Sequence, residues 1–474
     1  MRRTSPAPEP GVSSLLRGKL KTPEFWICSG GLAGMTALFI LWLIQNPGCA
    51  LPARLSALTS ALLFTVLCLR FVPEWMSFWR FSPRLPAFRP VSREARGESP
   101  PHINLKIFLA IMGANAAVLL LVFLIRRAMG SQETFVQQLE FWRCLDSGSY
   151  LRIAKDWYPA EGDTRVMLVF LPGYPVAIRL IDWLIGNELY SGLLVSALSV
   201  SGAGCMMYRL LRLDYTHEDA LRTIKYAFLL PGFFFYTAPM SEGLFLLLCL
   251  SCLYFARTGR WTLGCLFGGL AAFTRSMGIT LLVPLVMELI RAVRIRQISS
   301  RRLIARRWIR RAASLLLVAA GLAAYLLINY LISGDPFKFQ EYQSSHWGQR
   351  LGFFFNTAAY QLDQAVKTYA ENNHSFLGLW LPNMIACFGS LILLIFAAKR
   401  MRASYIAWFI AYFFVAIGAT WLLSAPRYLM VMLPVPLAVS MLVRRPTADL
   451  AAAPFCVLLS LLYLYAFVAR WQVW

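Results

Sequence analysis

The chain has 474 residues, 58% of them hydrophobic and only 15% charged, with a mean hydropathy of +0.57. Soluble globular chains run at about 45–50% apolar and about 25% charged; the surplus here falls in long runs, which excludes a soluble enzyme and a disordered chain. The 46 Lys and Arg against 23 Asp and Glu, a net +23, fit basic loops meeting anionic headgroups, while nucleic-acid binding would need more soluble surface than this sequence offers.

A bilayer core takes about 20 apolar residues per helix, fewer where protein covers the segment. Candidate spans in chain order are 25–46, 52–72, 105–125, 189–211, 223–238, 240–256, 261–274, 277–290, 312–333, 377–398, 403–423, 428–443 and 452–470, with the crowded pairs 223–256 and 261–290 each open to being drawn as one broken helix. The pattern predicts an all-α polytopic membrane protein. About 11 spans form the core over 101–474, and about two more belong to an N-terminal extension, 1–100.

Orientation comes from the basic clusters. Residues 291–311 hold nine arginines and no acid, so by the positive-inside rule this stretch is a cytoplasmic interfacial loop. Counting forward places 334–376 outside, 399–402 inside, 424–427 outside and 444–445 inside. Counting backward places 257–260 and 212–222 inside. From the N-terminus, Arg2, Arg3, Arg17, Lys19, Lys21 and the 80–96 stretch are inside. Two large external loops result, 127–188 and 334–376. The apolar segment 166–186 breaks that parity if it crosses, so it is predicted to lie along the outer surface. No secretory signal peptide is evident at 1–24.

Chemistry in such a chain gathers where external loops meet the bundle. In the first loop, Phe135, Leu139, Trp142 and Leu145 are spaced by four, three and three residues, which predicts an amphipathic helix on the membrane. Asp146 follows, with Ser147 and Gly148 favouring a turn or a new helix start. This aspartate is either a reactive carboxylate at the water–lipid boundary or a helix cap. Arg275 and Arg427 are each a phosphate ligand or a snorkelling arginine. Glu242 opens an otherwise uncharged span and is a ligand contact or a first-turn cap. Trp347 is a contact or an interface anchor. Cys249 and Cys252 form a C-x-x-C inside a continuous apolar run, which reads as packing rather than a redox or metal site. The four histidines are scattered, Glu161 and Asp163 read as solvated loop charges, and no metal or other cofactor is predicted.

Several stretches together resemble one family. D-S-G-x-Y-x-x-I-A starts at Asp146 and includes Tyr150, Ile153 and Ala154; Tyr158 and F-L-P-G-Y-P at 170–175 follow. Next come A-P-M-S-E at 238–242, G-L-A-A-F-T-R-S-M-G at 269–278 and G-D-P at 334–336. H-W-G-Q-R at 346–350 and P-R-Y at 426–428 complete the series. In this order, over roughly 105–470, they resemble the GPI mannosyltransferase 2 (PIG-V-like) family of GT-C membrane glycosyltransferases. The chain departs from the family at Leu145, where Trp is common, in L-P-G-Y-P for F-P-L-Y-P, and in P-M-S-E-G for Y-T-E-S. Residues 1–100 have no counterpart.

The resemblance implies transfer of a sugar, often mannose, from a polyprenyl-phosphate-sugar donor to a glycan or lipid acceptor, at the external face and with inversion. On that footing Asp146 is the general base and Arg275 and Arg427 bind the donor phosphate. Tyr150, Tyr174, Glu242, His346, Trp347 and Arg350 are donor or acceptor contacts. One carboxylate is enough, because a phosphate leaves as a stable anion and needs no general acid, unlike glycoside hydrolysis. The rival class is a lipid or solute transporter or flippase, for which mid-membrane charges and internal repeats are the signature; neither is evident. Membrane lipids are the remaining expected partner, and a further subunit is left open. Short loops and abundant arginine point to a bacterial inner membrane in preference to an ER membrane.

Overall fold

A computed structural model describes residues 23–79, 88, 90–295, 301–371, 373–420 and 422–474. The residues named above at 2, 3, 17, 19 and 21, and most of 80–89, lie outside these. The described chain is helical, with a lone β-bridge between Leu351 and Ala419.

Seven of the thirteen candidate spans are helices long and apolar enough to cross a membrane among the described residues. They are Glu24–Gln45, Leu51–Met76, Ile103–Ala128, Glu188–Leu211, Arg306–Ser333, Asn373–Arg400 and Pro446–Val468. Apolar side chains such as Leu32, Ile44, Leu109, Leu124, Leu327 and Leu458 are exposed along them, as a lipid-facing surface requires.

The other six expected spans are shorter or broken helices, so seven of the expected spans meet that test of length and composition among the described residues. Segment 223–238 is a helix, His217–Leu229, followed by a 3-10 turn, Phe233–Tyr236. Pro231 and Gly232, the latter at φ +97°, separate them. Segment 277–290 divides into Ser276–Leu281 and Leu282–Ile295. Segment 428–443 divides into Ala425–Met430 and Pro434–Leu442, interrupted ahead of Pro434. Glu242–Arg257, Trp261–Thr274 and Ala403–Ala416 are single helices of 16, 14 and 14 residues. At about 1.5 Å per residue they measure roughly 21–24 Å, against a hydrocarbon core of about 30 Å. Most of their side chains are buried against other helices. Helices wrapped by protein in this way need not match the length of a lipid-facing span; Glu242–Arg257 runs from one polar end of the bundle, where Glu242 pairs with Arg275, to the other, where Arg257 pairs with Asp214.

Two other expectations change. The basic stretch 291–311 is largely helical, through Arg301–Ser314. The amphipathic helix expected from Phe135 to Leu145 is a short capped helix, Phe135–Gln138, continued by a 3-10 turn, Leu139–Trp142. Segment 166–186 is bent by 106° between Asp163–Val169 and Gly173–Ile185. The second piece has 13 residues, about 20 Å and too short to cross alone. Its exposed face carries Leu180, Trp183, Leu184 and Ile185, the surface an interfacial helix presents. Arg179 on this helix caps the C-terminal end of helix Ser147–Asp156, donating from Nε to the Ala154 carbonyl at 2.6 Å.

Polar contacts sort to two ends of the bundle. At one end, the clusters at 212–222, 257–260, 399–402 and 444–445, predicted to be cytoplasmic, come together. Arg257 forks onto Asp214 at 2.6 and 2.8 Å, and Arg402 forks onto Glu288 at 2.5 and 2.7 Å. Arg402 also reaches Asp214 at 3.2 Å. Arg444 pairs with Asp219, and Lys225 with Asp449. The Val91 amide donates to the Asp214 carbonyl at 2.9 Å, placing the end of the 80–96 stretch there as well. At the other end, the two predicted external loops meet.

The N-terminal extension is packed onto the core. Trp42 Nε1 donates to Asn356 at 2.8 Å, Ser56 donates to the Ala358 carbonyl at 2.8 Å, and the rings of Phe64 and Phe354 lie 4.5 Å apart.

Candidate active site

Leu145 and Asp146 form the junction that starts the site. Leu145 sits at φ +53°, a backbone region costly for a side-chain-bearing residue. Asp146 then occupies the N-cap position of helix Ser147–Asp156, yet its side chain makes no capping bond. Instead its Oδ2 accepts from Arg427 Nη2 at 2.7 Å. The capping alternative is therefore unused.

Arg427 arrives on the short helix Ala425–Met430, anchored because Asn383 accepts from the Ala425 amide at 2.8 Å. Arg275 follows Trp261–Thr274 in an extended conformation, φ −146° and ψ 133°. Its position depends on Gly173, since a Cβ there would meet Thr274 Cα at 2.8 Å. The two guanidiniums converge on Glu242, at the start of Glu242–Arg257. Glu242 Oε1 accepts from Arg275 Nη1 at 2.8 Å and from Arg427 Nε and Nη2 at 3.0 and 2.8 Å. The Glu242 side chain is fully buried, and a carboxylate buried at that depth is stable only when paired in this way. Ser241 accepts from Arg275 Nη1 at 3.1 Å and lies 3.0 Å from the Tyr150 hydroxyl. Burial pushes the Tyr150 phenol above its ordinary range, so it is a neutral hydrogen-bonding group. The Arg275 guanidinium also stacks 5.0 Å from the Tyr428 ring, and that of Arg427 lies 5.4 Å from Phe235.

These groups face a cavity of about 730 Å³ lined by Asp146, Tyr150, Arg275, His346, Trp347 and Arg427, among others. Six residues singled out from sequence thus share one wall system, although they come from four separate stretches of chain. Trp347 is held by an edge contact with Phe170 at 6.0 Å. Glu242 lies behind the two arginines and does not line the cavity. Arg275 Nε and Nη2 and Arg427 Nη1 carry no protein hydrogen bond among the described residues. They are donors left over for an anion.

Two predicted contacts fall elsewhere. Tyr174 is fully buried, and its hydroxyl lies 2.6 Å from Ser196 and donates to the Gly192 carbonyl at 3.0 Å. It fixes helix Gly173–Ile185 to Glu188–Leu211. Arg350 bonds Ser344 through Nε at 2.8 Å and does not line the cavity. Sequence reasoning missed Ser241, although it adjoins Glu242. It also missed the lining residues Gln343, Tyr360, Gln364, Trp380, Gln472 and Trp474, which belong to no recognisable motif. No three His, Cys, Asp or Glu side chains converge among the described residues. Cys249 and Cys252 are fully buried and unbonded to each other, as packing residues are.

The long apolar helices and their exposed apolar surface define a multi-pass helical membrane protein with a polar cavity at one end. Comparison with protein-family models, with curated proteins and with solved structures finds no match to this chain.

Proposed function

We propose that the protein is a membrane glycosyltransferase that moves a sugar, mannose by resemblance, from a polyprenyl-phosphate-sugar donor to an acceptor hydroxyl. Transfer takes place at the external end of the bundle, in a bacterial inner membrane. The observation that carries this reading is the Asp146–Arg427 pair beside Arg275 on one cavity wall, with guanidinium donors uncommitted.

Arg275 and Arg427 are braced from behind by Glu242 and offer their remaining N–H groups to the donor phosphate, for which the guanidinium fork is suited. The acceptor oxygen then attacks the anomeric carbon from the face opposite the phosphate. The new C–O bond forms as the bond to the phosphate oxygen breaks, which inverts the centre. The acceptor proton passes to the Asp146 carboxylate, and the polyprenyl phosphate leaves with the electron pair of the broken bond. Because Arg427 shares Nη2 between Asp146 and Glu242, an arriving phosphate competes with Asp146 for this arginine and frees the carboxylate to take the proton.

A transporter needs ionisable groups along a path through the membrane. Here the buried ion pairs collect at the two ends, and the end opposite the cavity is stitched by Asp214, Arg257, Glu288 and Arg402. That distribution supports surface chemistry. The test is purified protein in detergent with polyprenyl-phosphate-mannose and membrane-extracted lipid and glycan acceptors, with mass analysis of products. Protein-dependent release of polyprenyl phosphate with a hexose-bearing product is expected. Intact donor after prolonged incubation, with folded protein and the full acceptor extract, would overturn the proposal.

A further inference from the structure

A second concavity lies on the outer surface, toward the end of the bundle opposite the cavity, and shares no residue with it. Helix Pro446–Val468 lines it with Leu450, Ala453, Pro454, Val457, Leu458 and Leu461, whose spacings of mostly three and four residues keep them on one face. They form a groove of about 580 Å³ whose polar lining is Asp449, from the same helix, and Lys225, from helix His217–Leu229. Leu450 and Leu458 are exposed there, so the apolar wall stands open to the bilayer.

The groove has the length and polarity of one lipid. From Asp449 to Leu461 the helix rises about 18 Å at about 1.5 Å per residue, close to one leaflet of a hydrocarbon core about 30 Å thick. The charged pair stands at one end of that run and apolar side chains take up the rest. At about 30 Å³ per non-hydrogen atom, the share of one water, a volume of about 580 Å³ holds one long acyl chain and not two.

Charge at the mouth selects the headgroup. Lys225 Nζ donates to Asp449 Oδ1 and Oδ2 at 2.7 and 2.6 Å, and the Tyr226 hydroxyl donates to Oδ1 at 2.8 Å. Asp449 is thus covered by two donors, while an ammonium has three N–H groups and keeps one. Arg445, one turn ahead of Asp449, is exposed, and its guanidinium makes no protein hydrogen bond among the described residues. Arg222 and Arg444 converge on Asp219 at 3.0 and 2.8 Å, two cations on one carboxylate. Against these four cations stand Asp219, Asp449 and the exposed Glu218, so the mouth keeps a positive balance. It lies at the end predicted to be cytoplasmic, where the leaflet is negatively charged.

We infer that this groove is a binding site for an acidic phospholipid, with one acyl chain laid along Leu450 to Leu461 and the phosphate held by Lys225 and Arg445. A zwitterionic headgroup brings an ammonium that these two cations repel and that Asp449, already covered, does not compensate. A second copy of the chain seated here would have to bury the Lys225–Asp449 pair.

The test places the full chain in nanodiscs with a trace of phosphatidylglycerol or phosphatidylcholine carrying the same photoreactive acyl chain, and maps the cross-linked peptides. The yield ratio of acidic to zwitterionic probe over 450–461 should exceed that on the lipid-facing helix Ile103–Ala128 by about fivefold or more, the worth of about one basic residue at an anionic surface. Lys225→Gln and Arg445→Gln should each lower the ratio by about that factor, and Arg445, exposed and without a protein partner, carries the test even where Lys225→Gln fails to fold. Ala453→Trp, which fills the groove without changing charge, should abolish the preference over 450–461, while Arg307→Gln, on the basic helix Arg301–Ser314, should leave it intact. Equal ratios on the two helices, or a preference that survives Arg445→Gln and Ala453→Trp, would reduce the groove to ordinary lipid contact and overturn the site. Protein–protein cross-links through 450–461 in place of lipid adducts would assign the groove to a second copy and overturn it equally.

Discussion

Asp146 and Arg427 are 281 residues apart in sequence and 2.7 Å apart in space. The pair sets what a substitution at Asp146 can reveal. Because the Asp146 side chain makes no capping bond, Asp146→Asn removes a proton acceptor without removing a cap. General bases contribute about 10²–10⁴-fold, so turnover is expected to fall at least a hundredfold while the thermal unfolding midpoint stays close to wild type. Wild-type turnover in folded Asp146→Asn protein would end the general-base role.

Glu242 is the counter-ion that two buried arginines share. Glu242→Ala strands Arg275 and leaves Arg427 with Asp146 alone, and breaking a buried pair by deleting one partner costs about 3–5 kcal/mol. The unfolding midpoint in detergent should drop clearly. A ligand that binds the folded state restores stability, so polyprenyl phosphate should raise the midpoint of this variant. A midpoint equal to wild type without ligand would show that the arginines do not depend on Glu242.

On the proposed function, Arg275 and Arg427 would recognise the donor phosphate by shape as well as charge. Lys substitution at either keeps the charge but loses the fork, so donor KM should rise while the protein remains folded. Unchanged kinetics in Lys and Ala variants alike would reduce both to structural residues.

The opposite end offers a control. Arg402→Met leaves Glu288 without its forked partner, and a loss of about 3–5 kcal/mol is expected. Activity per folded molecule should persist, since the substitution lies at the far end from the cavity. A selective loss of turnover with unchanged stability would contradict this separation.

The two ends should face opposite sides of the membrane. With the half-buried Cys28, Cys49, Cys68, Cys144 and Cys205 replaced and the fully buried cysteines retained, single cysteines at exposed Thr258 and Ser345 can be probed with an impermeant thiol reagent. Position 345 should label from outside and 258 only after permeabilisation. Labelling of both from one side would reverse the topology.

The sequence by itself determined that the chain lives in a membrane, since the apolar excess and the run lengths have no other stable setting. It also determined which basic clusters share an end: 212–222, 257–260, 399–402 and 444–445 meet in the structure through Asp214, Arg257, Arg402, Asp219 and Arg444. Charge bias works here because moving a cation across a bilayer is costly whatever the fold. Run length could not separate Glu242–Arg257, wrapped in protein, from a lipid-facing span of similar composition, because burial against helices and burial in lipid select the same residues. Only the tertiary structure decided that Glu242 faces two arginines, that Tyr174 is a packing residue, and that Gln364, Gln472 and Trp474 share a cavity with Asp146. Those contacts join distant segments through side chains carrying no local pattern, so nothing short of the folded chain specifies them.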